Sequence, residues 1–223
     1  MRERHEWKHE INASDLLALR RRLQAVMSPD RHGKDGRYSV RSLYFDDPSD
    51  RALREKLDGV SRREKFRLRC YGGDAALILL EKKSKVSGLC RKESVPLSEA
   101  EARALAEGRP DRLGADLPPL LWELCQKMRT QLLRPRTIVD YTREAYVFGP
   151  GNVRVTMDWN IRTGLGGTDF LDFGCVTVPA GGAPAILEVK WDAFLPDVIR
   201  DAVQLEGRRT APFSKYAACR IYG

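Results

Sequence analysis

No apolar run in this sequence approaches the length that spans a bilayer, and Met1 to Glu10 are mostly charged, so neither secretion nor membrane insertion is expected. Cysteine is sparse: Cys70, Cys90, Cys125, Cys175 and Cys219 are odd in number, lie far apart and form no C-x-x-C step. That spacing argues against a zinc ribbon or a dithiol redox couple and predicts reduced thiols in a cytoplasmic protein. No repeat, low-complexity stretch or linker divides the 223 residues, which suffice for one domain over 1–223. Acidic residues are the minority, 31 against 39 basic ones, and the net charge of +8 favours a polyanion, a nucleic acid or an anionic membrane surface as partner.

What is present is a succession of strand and helix signals. Arg4 to Ile11 reads as a strand, and Asn12-Ala13-Ser14 offers a cap for a helix through Leu16, Leu17, Leu19, Leu23 and Val26. A loop from Ser28 to Gly36 leads to strands over Tyr38–Phe45 and Arg62–Tyr71, with a short helix from Pro48 to Leu57 between them and a turn at Gly72-Gly73-Asp74. Segments Leu77–Lys85 and Leu89–Leu97 flank Ser87-Gly88, a two-residue hairpin signal. Ser98 with Glu101 caps one helix, and Pro118-Pro119 opens another that ends near Arg129. Thr137–Phe148 and Val153–Arg162 flank a second hairpin turn, Phe173–Val178 and Ala185–Trp191 read as strands, and helices are expected from Pro196 and near Ser214.

Residues two apart on a strand share a face. Arg63, Lys65, Arg67 and Arg69 alternate with Phe66, Leu68 and Cys70; Arg154, Thr156, Asp158, Asn160 and Arg162 alternate with Val155, Met157, Trp159 and Ile161. Glu188, Lys190 and Asp192 alternate with Leu187, Val189 and Trp191, and Glu6, Lys8 and Glu10 repeat the pattern near the start. The Ser87-Gly88 turn places Lys83 opposite Lys92 and Glu81 opposite Ser94, and the second hairpin sets Arg143 opposite Asp158. An odd-length turn at Gly72 to Asp74 pairs Lys65 with Glu81 and Arg63 with Lys83. All the charged sets then fall on one common face.

Such alternation commonly marks a sheet with one solvated face. A solvated face mixes signs, because directly opposed cations repel. Here arginines and lysines recur strand after strand, while Trp159, Trp191, Phe66 and Leu68 on the other face need cover that the helices can provide. The charged face then turns inward, in a closed antiparallel barrel. Inward cations require an anion, and phosphate chains fit, since Arg binds phosphoryl oxygens in a bidentate way and Lys meets them as a point charge. The carboxylates Glu6, Glu10 and Glu188 would be repelled by that anion unless at least one holds a hard divalent ion, Mg²⁺ or Mn²⁺.

Seven motifs occur in order: Glu6-Trp-Lys8, Arg67-Leu-Arg69-x-Tyr71, Glu81-Lys-Lys83, Tyr141-Thr-Arg143-x-Ala-Tyr146, Arg154-Val-Thr156-x-Asp158, Leu187-Glu188-Val-Lys190 and Phe213-Ser-Lys-Tyr216. Together they resemble the VTC domain, the catalytic polyphosphate polymerase domain of the vacuolar transporter chaperone complex, within the triphosphate tunnel metalloenzymes. The resemblance covers nearly the whole chain. It implies an α+β fold, a closed eight-stranded antiparallel β-barrel with helices packed outside. Lys8, Arg67, Arg69, Lys83, Lys92, Arg143 and Arg154 are implied as the catalytic, phosphate-binding set, Lys190, Ser214 and Lys215 as substrate-binding groups, and Glu188 as the metal ligand. The implied reaction transfers the ATP γ-phosphoryl group to a growing polyphosphate and releases ADP. Its partners are ATP or another triphosphate and inorganic polyphosphate, with no specific nucleic acid. Ser94 and Pro212 depart from the family, which tends to carry cations there. That leaves hydrolysis of tripolyphosphate or another small triphosphate, and a non-catalytic polyphosphate-binding module, as alternatives.

His5-Glu6-Trp7-Lys8-His9 has the form H-E-x-x-H, but a metalloprotease needs both histidines on one helical face and a third ligand. This stretch precedes the helix cap, and His32 is the one histidine left, so protease activity is not expected. Arg20-Arg21-Arg22 reads as a solvated helix face. Glu81 and Asp158 are expected to orient arginines rather than to bind metal.

Overall fold

A computed structural model describes residues 4–33, 35–87, 89–181, 185–208, 210 and 212–220. In chain order the elements are β1 (His5–Ile11), α1 (Ala13–Val26), β2 (Ser28–Pro29), β3 (Arg37–Asp46), α2 (Arg51–Leu57), β4 (Arg62–Tyr71), β5 (Ile78–Val86) and β6 (Leu89–Leu97). They continue as α3 (Glu99–Ala106), α4 (Pro119–Thr130), β7 (Arg134–Phe148), β8 (Val153–Thr163), β9 (Val178–Pro179), β10 (Ala185–Trp191), α5 (Asp197–Val203) and α6 (Lys215–Cys219).

Helices α1 and α3 start where the sequence supplies side-chain acceptors for their first N–H groups, whereas α4 and α5 open at Pro118 and Pro196 without a side-chain cap. Asn12 and Asp15 exchange side-chain and backbone hydrogen bonds in a capping box at α1, and Ser98 and Glu101 do the same at α3. The helix expected from Pro48 begins later, at Arg51. Asp50 ahead of it is left-handed and gives no side-chain cap, and the Asp46 carboxylate instead accepts from the N–H groups of Ala52 (2.8 Å) and Leu53 (3.1 Å).

The described residues pack as two compact units, and β3, β7 and β8 contribute to both. The first comprises Met1–Ser39, Tyr141–Ile161 and Gly181–Phe213. In it β10 pairs antiparallel with β1 on one side and β8 on the other. The apolar face, with Ile11, Val155, Met157, Leu187, Val189 and Trp191, is covered by Leu16, Leu19 and Leu23 of α1 and Ile199, Ala202 and Val203 of α5. Each fully buried Leu or Ile contributes about 1.5 to 3 kcal/mol, so the helices are held to this face and the charged alternates are left on the opposite one. Gly151 sits in the β7–β8 turn with φ of +72°, and a Cβ there would fall 2.3 Å from the Phe194 carbonyl oxygen.

The second unit comprises Val40–Asp140, Arg162–Ala180 and Ser214–Gly223. Here β3, β4, β5 and β6 pair in succession, all antiparallel. Their apolar side chains, among them Leu43, Phe45, Phe66, Leu68, Ile78 and Leu80, are covered by Ala102 and Leu105 of α3 and by Leu121, Leu124 and Met128 of α4.

The hydrogen-bonded order is β1-β10-β8-β7-β3-β4-β5-β6, with β2 added to β7 and β9 to β8. The expected α+β class and eight-strand antiparallel path are present, but the closed barrel is a correction: the ladder begins at β1 and ends at β6. Both ends carry features that discourage further pairing. The edge of β1 meets an isolated bridge from Thr210 at His9, and β6 presents exposed Arg91 and Lys92 together with Pro96.

Three further expectations change. Lys65 lies opposite Lys83 rather than Glu81, and Arg63 opposite Lys85, because the β4–β5 connection is two residues longer than a Gly72–Asp74 turn. Phe173–Val178 is largely irregular, with only Val178–Pro179 bonded to β8; Asp172 and Phe173 there instead meet Arg41, through a carbonyl and a ring face. Ser28–Pro29, expected as loop, pairs with β7. Gly88 of the Ser87-Gly88 turn lies outside the described residues, while the strands it joins keep Lys83 opposite Lys92 and Glu81 opposite Ser94. All five cysteines are free. No described helix is long and apolar enough to cross a membrane.

Candidate functional site

In the first unit, the pleat of β1, β10 and β8 brings Glu6, Lys8, Glu188, Lys190 and Arg154 to the face opposite the helices. Lys8 lies 3.0 Å from Glu6 and 3.6 Å from Glu188, and Lys190 lies 2.8 Å from Glu188. Burial works against the charge on Glu188, yet its side-chain hydrogen bond with Glu6 and the neighbouring Lys190, Lys8 and Arg143 hold its carboxyl well below the usual range. Burial likewise opposes the charge on Lys8, and Glu188 and Glu6 more than offset it, raising the ammonium.

Arg143 is gripped in a bidentate pair by the buried Asp158, with both bonds at 2.7 Å. Burial alone would favour loss of its proton, but Asp158 dominates and raises it. Arg154 reaches Asp30 at 2.5 Å and donates to the Tyr38 hydroxyl at 3.1 Å. Asp30 is buried, and hydrogen bonds from His32 together with the Arg154 charge overcome that burial and lower it.

In the second unit, one carboxylate gathers three cations. Glu81 accepts from Arg67 at 2.6 and 2.7 Å, and lies 3.5 Å from Arg69 and 2.5 Å from Lys92. Burial resists its charge, but Arg67, Arg69 and Lys92 prevail and hold the carboxyl at about 2. Beside this group Lys65, Lys83 and Lys92 stand directly opposite one another across β4, β5 and β6. Arg67 also donates to the Tyr44 hydroxyl at 2.8 Å, and Arg69 to the Ser42 hydroxyl at 3.2 Å. Tyr44 is stacked on Tyr216 at 4.8 Å between centroids. Burial alone would raise the Tyr44 phenol; Arg67, Lys65 and Arg69 outweigh it and bring it down to about 7. Ser214 caps α6 by accepting from the Ala217 N–H at 3.3 Å, and Lys215 is the first residue of that helix.

The structure therefore gathers Lys8, Arg143, Arg154, Glu188 and Lys190 in one unit. It gathers Arg67, Arg69, Lys83 and Lys92 in the other, where Ser214 and Lys215 open α6. Glu81 and Asp158 meet arginines, as residue type and face foretell. Glu10, expected to point inward, is exposed. Arg20, expected on a solvated helix face, is a buried-side partner of Glu144 at 2.9 Å and lies over the Trp159 ring. The H-E-x-x-H stretch lies on β1, not on a helix.

Sequence reasoning missed Ser42, Tyr44, Tyr38 and Asp30. The first three share one face of β3 by parity, but Ser and Tyr in a strand serve packing equally well, and Asp30 sits at an address that no periodicity supplies.

Among the described residues no group of three or more His, Cys, Asp or Glu is placed to hold a metal ion. Glu6 and Glu188, which share a hydrogen bond, form a two-carboxylate donor set. Magnesium-class ions are commonly held by one or two carboxylates and completed by substrate phosphate oxygens. The pair fits an ion of that kind and does not form a cage by itself.

Many solved structures resemble the fold, among them these two. One is a Bacillus halodurans protein described as a candidate adenylate cyclase, with a TM-score of 0.50, 12% identity and coverage of 88% of this chain and 83% of that one. The other is the PH1012 protein from Pyrococcus horikoshii OT3, with a TM-score of 0.50, 12% identity and coverage of 96% and 97%. At such identity the likeness is one of fold. Curated protein sequences give no significant match. The family model for the VTC domain matches residues 3–221, and the chain thus belongs to the VTC domain family.

Proposed function

We propose that this protein is a metal-dependent polyphosphate polymerase that transfers the ATP γ-phosphoryl group to a growing polyphosphate. The observation that carries the reading is the row Lys65, Lys83 and Lys92, directly opposed across three strands beside Arg67 and Arg69. Directly opposed like charges are unfavourable in an empty site, and Glu81 draws Arg67, Arg69 and Lys92 to the same place. A chain of phosphoryl groups would supply negative charge along this row of cations.

Phosphoryl transfer asks a protein mainly to position groups and neutralise charge. Arg67, locked by Glu81 and Tyr44, and Arg143, locked by Asp158, present guanidinium groups already oriented for phosphate oxygens. Lys8 and Lys190 flank Glu188. A Mg²⁺ or Mn²⁺ ion would be held by Glu188 and Glu6 and would neutralise charge across the terminal phosphates.

Incubation of pure protein with ATP and Mn²⁺ should yield ADP and long phosphate chains on a gel. Phosphate release without chains would overturn the polymerase reading. A second reading, triphosphate hydrolysis, is favoured by Ser94, which stands opposite Glu81 where a further cation would help hold a chain. Tripolyphosphate that survives prolonged incubation while ATP is converted to chains would rule it out.

A further inference from the structure

Across β1, β10 and β8 one row of directly opposed residues reads Lys8, Glu188, Thr156, and the next reads Glu6, Lys190, Arg154. The charged members of these rows are partnered: Lys8 and Lys190 with Glu6 and Glu188, and Arg154 with Asp30. Thr156 is the uncharged member of the two rows. It is 5% exposed, and its hydroxyl has no hydrogen-bond partner among the described residues.

An unpaired buried hydroxyl costs stability, and valine has nearly the same shape and an equal liking for strands. Threonine is therefore the poorer choice for the empty fold. Glu188, directly opposite in the register, already meets Lys190, Lys8 and Glu6. The hydroxyl thus sits on the charged face, two residues from Arg154 on the same strand and one strand beyond Glu188 from Lys8, with its donor unused.

We infer that Thr156 is a phosphate-binding residue, whose hydroxyl donates to a phosphoryl oxygen held between Lys8 and Arg154. The inference rests on the polyphosphate reading above. Binding leaves no bond broken; the proton stays on the threonine and only its hydrogen bond is formed.

The test titrates the full chain with tripolyphosphate in buffer containing a chelator, by calorimetry, for the wild type and for Thr156→Val, Thr156→Ser and Thr156→Ala. Wild type and Thr156→Ser should bind alike, and Thr156→Val should bind about ten- to a hundredfold more weakly, the loss expected for a hydrogen bond to a charged group. Without ligand, Thr156→Val should melt no lower than the wild type, and up to about 2 to 4 °C higher if the relieved cost is near 1 kcal/mol. A merely structural hydroxyl would show the reverse. Should Thr156→Val fold poorly, the Ser and Ala variants decide, since both lack the methyl group and differ only in the hydroxyl. Equal binding by wild type and the hydroxyl-free variants overturns the inference while leaving the polyphosphate reading intact. A loss seen only with Mg²⁺ present also overturns it, because the hydroxyl would then serve the cation. Failure of the wild type itself to bind tripolyphosphate would instead strike the reading on which the inference rests.

Discussion

Replacing Glu81 by glutamine keeps the volume of the side chain and strands the cations that converge on it. The carboxylate is 2% exposed and meets Arg67, Arg69 and Lys92. Its pKa of about 2 against an ordinary 4.5 corresponds to about 3 kcal/mol of stability at neutral pH. Lys92 is largely exposed, so its share is screened and the two arginines carry most of the effect. Because the folded pKa is depressed, this stability is fully present above about pH 4.5 and is lost as the pH falls towards about 2. In phosphate-free buffer at pH 7 Glu81→Gln should therefore melt about 6 to 12 °C below the wild type, and the deficit should hold to pH 5 and shrink below 4.5. Tripolyphosphate should then raise the melting temperature of the variant more than that of the wild type, because the phosphate supplies the negative charge that was removed. At a hundredfold excess over the variant's own Kd, mass action restores about 2.7 kcal/mol, most of the loss. Equal stability of the two proteins in phosphate-free buffer would refute the pairing argument. Equal stabilisation of both by tripolyphosphate would refute the claim that phosphate replaces the carboxylate.

Tyr44 should ionise near pH 7, seen as phenolate ultraviolet absorbance that Tyr44→Phe lacks. Its folded pKa is depressed, so the stability it contributes is lost as pH falls through about 7 and is complete only above the ordinary value of 10. Glu188→Gln should abolish metal-dependent turnover while tripolyphosphate affinity measured without metal stays equal or rises; a loss of that affinity would contradict the separation of cation and phosphate roles. Arg69→Ala should lose about 1.5 to 3 kcal/mol of metal-free affinity in the same calorimetric assay. Asp158→Asn should destabilise the fold by about 3 kcal/mol in urea unfolding, because it leaves Arg143 partly buried without its charge partner.

Alternation along a single strand is a local property, and it made the charged face legible in the sequence. Arg67 and Arg69 on β4, Lys83 on β5, Lys92 on β6 and Glu188 and Lys190 on β10 all stand where parity places them. Parity survived even where the pairing did not. The β4–β5 register moved by two residues, so Lys65 met Lys83 in place of Glu81, and an even shift leaves every side chain on its original face. The capping boxes at α1 and α3 were equally legible, since each closes within four residues. The strand order, with its open ends at β1 and β6, was not, because alternation says which face is charged and nothing about which strands become neighbours. The same limit hid the roles of individual polar residues. Asp30 pairs with Arg154, and Arg67 with Tyr44, across sequence separations that no local pattern spans. Thr156 reads in the sequence as one more polar residue of an alternating strand; only the folded structure buries its hydroxyl and leaves it without a hydrogen-bond partner among the described residues.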